Sequence, residues 1–380
     1  MSTKKRTLRP LDLGVLFAPP QSASHPLAIA QFRAWRLKEP VSGRRYTVVK
    51  LQSQSGASGY GEGGPATSAE IVEARTIVAG RRATETEFVR ARLAALSAME
   101  AAVSNAMLDL VSRSKQIPIY QYLGGPTRFK ARLLAQLEGS DEASIAGPLE
   151  RARRLGFQAF TMPALQRDGM IPLQEYVNRM RKQVDAIRAK GGADSEWVLD
   201  GAGLMTPGDA ATVATALEHT HLMWFDEPTS VLTTDGIAKF SDESVMPIGF
   251  GRKITDIGTF QNMLRNGSVN VVRPSLGLNS LAKIKRIAAI AETHYVAVAP
   301  YHSGGPIGTL AGMHINAALP NSFVQEVPVP ASDRDAAMRA ELTSGNKEVA
   351  EKGFAALINR PGLGVDVNER ALDAHSEERI

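Results

Sequence analysis

The chain has 380 residues, enough for two domains or for one large α/β domain with an appendage. Hydrophobic residues make up 43% and charged residues 22%, which is typical of a globular protein with a large core. The net charge of +5 is not arranged as a basic stripe interleaved with aromatic residues, so the sequence argues against nucleic-acid binding. The lack of cysteine excludes disulfides, thiolate metal sites and a cysteine nucleophile. No segment has the length of a signal or membrane span, and we expect a cytoplasmic protein without membrane contact.

The N-terminal part of the sequence predicts an α+β domain over residues 1–130. Residues 1–28 begin with the basic segment MSTKKRTLRP and are expected to form an irregular extension with a solvated tail. Residues 29–60 contain the alternating runs AQFRAWRLKEP and RRYTVVKLQSQSG, which predict an antiparallel meander. GEGGP lacks the strand–helix context of a phosphate loop and is interpreted as a turn. From Ser68 to Ser114, apolar residues at spacings of three and four predict helices.

Eight short apolar runs alternate with amphipathic helical stretches over residues 131–327, which favours βα units and a parallel sheet. Polar residues end six of these runs at separations of 26, 26, 23, 26 and 25 residues. Such regularity suits a closed barrel, in which these residues would meet at the C-terminal mouth, where catalytic groups lie. The six residues are Asp200, Asp226, Arg252, Ser275, Tyr301 and Glu326.

Several segments resemble, in order and spacing, the enolase superfamily, specifically its mandelate racemase and muconate lactonising group with the acid-sugar dehydratases. They are YGEGGP, AAVSNAMLDLVSRSKQIPIYQYLGG, WVLDGAG, WFDEPT, VAPYHSGGPIG, VQEV and INRPGLGVDVNE. The resemblance implies a modified TIM barrel, (β/α)7β, under the α+β capping domain, with residues 328–380 returning to that domain. It also implies a homo-oligomer, a dimer or an octamer, and a small hydroxy or sugar acid as substrate. In this family, Mg²⁺ stabilises the enediolate that forms when a base removes the proton next to the substrate carboxylate.

The family's metal-ligand positions at the ends of the third, fourth and fifth barrel strands correspond to Asp200, Asp226 and Arg252. Two positions keep a carboxylate, but a guanidinium cannot ligate a cation and its charge repels one. We therefore hypothesise that Arg252 occupies the metal position and pairs with Asp200 and Asp226. The resemblance implies Mg²⁺ as cofactor, whereas this departure implies none.

The family's bases are also missing from their usual positions. Thr161 and Pro163 stand where the second strand usually provides Lys-x-Lys, and the seventh-strand histidine position is Tyr301. His302 comes one residue later, and a shift of one residue on a strand turns the side chain to the other face. His302 is interpreted as either an acid/base or a hydrogen-bonded loop histidine. The candidate catalytic residues are His302, Tyr301 and Lys253, and the candidate substrate-binding residues are Arg252 and Glu326.

Three functions stay open, each with a small carboxylate or another small anion as the partner. The first is a dehydratase, racemase or epimerase of hydroxy or sugar acids that uses a rearranged barrel mouth. The second is a non-catalytic descendant that binds an anion at Arg252. The third keeps metal dependence with ligands from elsewhere, for example Glu227 or Asp256. Without that role, Glu227 is interpreted as a structural residue bonded to a neighbouring strand loop.

Overall fold

The computed structural model describes residues 25–379, apart from 168, 232–236, 238–239, 241–242, 266, 268 and 346–347. The expectations for the basic segment and for most of the extension over residues 1–28 lie outside the described residues. No described helix combines the length and the apolar character that a bilayer crossing requires.

The predicted N-terminal meander is confirmed: three antiparallel strands are followed by helices. The strands are β1 (Ile29–Lys38), β2 (Arg45–Ser53) and β3 (Ser58–Gly63). The helices are α1 (Ser68–Val78), α2 (Thr86–Arg92), α3 (Ser97–Ser114) and α4 (Ile119–Tyr122). Thr67 begins α1 with a capping box, because its side chain accepts the amide of Glu70 while the Glu70 side chain accepts the amide of Thr67.

The interpretation of GEGGP as a turn is wrong, because β3 continues to Gly63. A Cβ atom added to Gly59, Gly61 or Gly63 would lie 2.3, 2.1 or 2.0 Å from a backbone carbonyl oxygen of α3. The glycines alternate along the strand, so all three lie on the face that packs on the helix. They are therefore needed for the close approach of two backbones rather than for a turn.

The eight predicted barrel strands are all present and parallel, in the order β10-β9-β8-β7-β6-β5-β4-β11. Closure comes from a parallel bridge between Val298 and Ser322 and from the 2.8 Å bond of the Phe323 amide to the Val298 carbonyl. The predicted modified TIM barrel is therefore confirmed. The strands are β4 (Lys130–Gln136), β5 (Ala159–Pro163), β6 (Glu196–Asp200), β7 (Trp224–Asp226), β8 (Ile248–Phe250), β9 (Val271–Val272), β10 (Ala297–Val298) and β11 (Gln325–Pro328).

Helices cover the outside of the barrel, and the end of the chain returns to the first sheet. The final strand pairs antiparallel with β1, so the first sheet has the order β13-β1-β2-β3. The domain boundaries at residues 130 and 327 stay a prediction. The elements are α5 (Glu142–Arg154), α6 (Leu173–Gly191), α7 (Pro207–Leu217), α8 (Ile257–Arg265), α9 (Leu281–Thr293), α10 (Pro306–Ala318), α11 (Asp333–Leu342), β12 (Phe354–Ala356), α12 (Glu369–His375) and β13 (Ser376–Arg379).

The barrel interior is layered, and this layering positions the site. One contiguous cluster of buried apolar residues comprises Leu134, Ala159, Val198, Trp224, Val271, Ala299 and Val324. Side chains two residues apart on a strand share a face, so the residues two positions after these form the next layer towards the mouth. That layer is polar on most strands and comprises Gln136, Thr161, Asp200, Asp226, Arg273, Tyr301 and Glu326.

Candidate active site at the barrel mouth

The ion pairs predicted for Arg252 are present. Its Nη1 donates to Asp200 Oδ2 at 2.7 Å, and its Nη2 donates to Asp226 Oδ2. The guanidinium carbon lies 4.5 Å from the centre of the Tyr301 ring, a cation–π contact. Burial alone would lower the pKa of Arg252, but the Asp226 and Asp200 carboxylates outweigh it and hold the pKa above its usual value. Arg252 is therefore a fixed positive charge at the barrel mouth.

Arg273, which sequence reasoning missed, is a second cation in the same network. Its Nε donates to both carboxylate oxygens of Asp226 at 3.0 and 3.1 Å, and its Nη2 donates to Glu326. Its Nη1 donates to the carbonyl of Ala299 at 2.5 Å. Arg273, Asp226 and Glu326 are all fully buried. Burial would lower the pKa of Arg273, but these two carboxylates raise it. The sequence does contain a signal for Arg273. It stands in the apolar run VNVVRPS two residues after Val271, whose side chain faces the barrel interior, so its own side chain is expected to face inwards as well.

The residues present do not fit the Mg²⁺ site that the resemblance implies. Mg²⁺ requires a near-octahedral set of oxygen ligands. Here both Asp226 carboxylate oxygens accept hydrogen bonds from guanidinium groups, and Asp200 Oδ2 accepts one from Arg252. Asp256, an alternative ligand, accepts the amide of Thr259 at 2.7 Å at the start of α8. Across the described part of the chain, no group of three or more acidic or histidine side chains is arranged to hold a metal ion.

A cavity of about 490 Å³ opens above the ion network. The predicted site residues Arg252, Lys253 and Tyr301 line it together, and Lys253 is exposed there. The Tyr301 hydroxyl accepts a hydrogen bond from Gln136 at 3.3 Å. Glu326 is not in the cavity wall, since it is fully buried against Arg273. The described lining residues are Gly64, Pro65, Ala202, Gly203, Glu227, Ser230, Arg252, Lys253, Ile254, Ser275, Gly277, Leu278, Tyr301 and Ser303.

His302 is not brought together with the other candidate catalytic residues. It is 1% exposed, its Nε2 lies 2.8 Å from the carbonyl oxygen of Gly305, and the same atom lies 3.9 Å from Glu62 Oε1. Burial lowers the pKa of His302 to about 4, so the imidazole is neutral. Of the two interpretations, the hydrogen-bonded loop histidine describes its position, and the acid/base role does not. The shift of one residue from Tyr301 turns it away from the cavity towards the capping domain.

Glu62 on β3 anchors the loop that ends strand β10 to the capping domain. Its Oε1 accepts the amide of Gly305 at 2.5 Å and its Oε2 accepts the amide of Gly308 at 3.0 Å. Both amides belong to the start of α10, where unpaired N–H groups favour an anion. Burial nevertheless raises the pKa of Glu62 to about 7, against the lowering effect of the two amides and of Arg339. Sequence reasoning missed this residue, because its partners are on the other domain.

Glu227 is bonded to the neighbouring strand loop, as interpreted from the sequence. Its Oε1 accepts the amides of Gly251 and Arg252 at 2.7 and 2.8 Å. Its backbone has a φ of +42°, an uncommon conformation for a residue other than glycine. Burial and the neighbouring Asp226 raise the pKa of Glu227. These contacts hold the fifth-strand loop in the position that directs Arg252 towards the two aspartates.

Comparison with known protein families agrees with this architecture. The family described as enolase C-terminal domain-like matches residues 145–371, more than half of the chain. The chain belongs to the enolase superfamily. A mandelate racemase/muconate lactonizing enzyme-like protein from Rubrobacter xylanophilus superposes with a TM-score of 0.82 at 22% identity, covering 93% of this chain and 98% of that one. A mandelate racemase/muconate lactonizing enzyme from Sulfitobacter gives a TM-score of 0.81 at 21% identity over 92% and 96%.

This member of the superfamily also has curated relatives among acid-sugar dehydratases. It is 26% identical to the D-galactonate dehydratase of Verminephrobacter eiseniae over 280 residues, 73% of each chain. It is 25% identical to the D-galactonate dehydratase of Ralstonia pickettii over 351 residues, 88% of this chain and 92% of that one. The resemblance identified from the sequence motifs is therefore confirmed at the level of the superfamily and of its mandelate racemase and dehydratase branch.

Proposed function

We propose that this protein binds a small hydroxy or sugar acid in the barrel-mouth cavity without a magnesium ion, with Arg252 in place of the ion. The pairing of Arg252 with both Asp200 and Asp226 carries the proposal. A guanidinium stays charged at every physiological pH and matches two carboxylates geometrically. It therefore supplies permanently, at the same place, the positive charge that a bound cation would supply.

An exposed cation on the cavity wall supports an anionic ligand. The three carboxylates Asp200, Asp226 and Glu326 share two guanidinium groups, Arg252 and Arg273, so the ion-paired network below the cavity carries one net negative charge. Lys253, on the cavity wall and exposed, adds a positive charge beside this network, and no salt bridge to it is present within the described residues. An ammonium on a flexible stem suits a carboxylate that enters from solvent.

The class of acid is supported by the relatives, two of which are named as dehydratases of D-galactonate, a sugar acid. Catalysis by a rearranged mouth, as a dehydratase, racemase or epimerase, is a second candidate that Tyr301 favours. Its phenol lines the cavity, and its oxygen already accepts from Gln136, so the O–H remains available as a donor. Both candidates require acid binding as their first step.

Titration calorimetry with a library of hydroxy and sugar acids tests the proposal. We expect at least one acid to bind with the same affinity in EDTA and in excess Mg²⁺. Arg252→Glu should weaken this binding at least tenfold and should create Mg²⁺ binding, because it exchanges the guanidinium between Asp200 and Asp226 for a third carboxylate, although Asp226 keeps its pair with Arg273. Arg265→Glu makes the same charge change at an exposed position of α8 and is the matched control. Mg²⁺ binding by the wild type through Asp200 and Asp226, or acid binding that EDTA abolishes, would contradict the proposal.

A further inference from the structure

The backbone at the end of β7 is strained where it enters the cavity. Glu227 has a φ of +42° and Ala202, in the loop after the neighbouring strand, has a φ of +51°. The two loops are joined by the amide of Gly203, which donates to the Glu227 carbonyl at 2.7 Å. A left-handed conformation at a residue with a side chain costs of order 1 kcal/mol or more and concentrates at functional sites. Here it accompanies a carboxylic acid in the wall of a cavity.

The Glu227 carboxyl group is half anchored. Its Oε1 is held by the amides of Gly251 and Arg252, whereas no described residue donates a hydrogen bond to Oε2. Among the described residues that line the cavity, Glu227 is the only carboxylic acid. Its orientation is thus fixed through one oxygen while the other is left for a ligand. This is the arrangement expected of a group that must be positioned and still exchange a proton.

The other charged and phenolic groups of the cavity wall suit tasks other than proton abstraction. The Tyr301 ring packs on Arg252, and Lys253 is an exposed cation. Among these groups, the Glu227 carboxylate has the chemistry of a proton acceptor.

We infer that Glu227 is the acid/base residue of this site, which takes the proton from the carbon next to the carboxylate of a bound acid and returns it. The inference rests on the proposed function, because it requires that an acid bind in the cavity. In the step, the C–H bond breaks, its electron pair moves into the carboxylate to form an enediolate, and the proton passes to Glu227. The positive charges of Lys253 and Arg252 stabilise the added negative charge. The reverse transfer re-forms the C–H bond, so the cycle needs no oxidant, reductant or further reactant.

Glu227→Gln separates the chemical role of this residue from its structural role. A glutamine carbonyl oxygen can accept the same two amide bonds, so the loop that carries Arg252 stays in place, but the amide group cannot take a proton. The assay is deuterium incorporation at the α-carbon of the acids that bind, followed by NMR in D₂O with EDTA present. We expect exchange with the wild type that is absent when the protein is omitted. In the variant, exchange should fall by a factor on the order of 10² to 10⁴, with the dissociation constant changed less than about threefold.

The controls distinguish the possible results. Glu292→Gln, an exposed carboxylate on α9, should exchange like the wild type. Undiminished exchange in Glu227→Gln, or an acid that binds without any wild-type exchange, would overturn the role of Glu227 while leaving the binding proposal intact. If Glu227→Gln loses exchange only because the acid no longer binds, the role of Glu227 is to hold the loop in place, and the inference is also overturned. If no acid in the library binds, both proposals fail.

Discussion

Replacing Glu62 with glutamine should change how the stability of this protein depends on pH. Burial raises the pKa of Glu62 from 4.5 to about 7. Between these values, the folded protein keeps a proton that the unfolded chain has released, so wild-type stability falls as the pH rises through this range. Each unit of pKa difference corresponds to about 1.4 kcal/mol, and the full loss of unfolding free energy above pH 7 is therefore about 3 kcal/mol.

The glutamine variant does not titrate, but it keeps only one of the two bonds that Gly305 and Gly308 donate. At pH 5, we expect it to be less stable than the wild type by about 1–3 kcal/mol, the cost of a buried unpaired N–H group. By pH 8, the difference in stability should move by about 3 kcal/mol in favour of the variant, which becomes as stable as the wild type or more stable, because only the wild type bears the cost of a buried charge. Urea unfolding followed by circular dichroism from pH 5 to 8 measures both curves. Glu73→Gln, exposed on α1, should follow the wild-type curve. Parallel curves for Glu62→Gln and the wild type would refute the reasoning.

Two further predictions concern the stability of the barrel and of the capping domain. Arg273→Met removes the cation from the buried Glu326 and should lower the unfolding free energy by about 3–5 kcal/mol. Arg179→Met, in an exposed ion pair on α6, should change the unfolding free energy by less than about 1 kcal/mol. Urea titrations measure both, and equal losses would contradict the prediction. Gly61→Ala places a Cβ 2.1 Å from a carbonyl oxygen of α3 and should lower the unfolding free energy by about 3 kcal/mol. Gly147→Ala, in open space on α5, should change the unfolding free energy by less than about 1 kcal/mol, and a similar effect of both alanines would show that β3 can move away from α3.

The parts of the site that follow strand periodicity were predictable from the sequence. Asp200 and Asp226 end consecutive parallel strands and are register partners in the sheet, so the repeat of 26 residues already placed them side by side. Arg252 comes one repeat later, and a long guanidinium beside two carboxylates has few other arrangements that satisfy all three charges. The ion pairs were therefore predictable from spacing and charge together.

Beyond the strand ends, the alternation of side chains along a strand no longer predicts which way a side chain points. His302 lies past the last residue of β10, and its direction is set by the turn towards Glu62 rather than by alternation along a strand. Arg273 was overlooked because the strand-end repeat pointed to Ser275, two residues later, and its partners Asp226 and Glu326 are on other strands. The glycines of β3 have a spacing of two that matches the four-residue spacing of alanines on α3, and this match becomes visible only when the two elements are packed. In each case, the deciding contact is tertiary.

The pairing of the final strand with the first has a consequence for how the chain folds during synthesis. Arg36 on β1 and Glu378 on β13 are 342 residues apart, yet they form a salt bridge across adjacent strands. The outer edge of β1 therefore stays unpaired on the ribosome until the barrel and the residues after it have been made. Contacts of such long range are slow to form, and an exposed strand edge can pair with another chain. The edge of β1 in the nascent protein is thus open to pairing with another chain until β13 covers it.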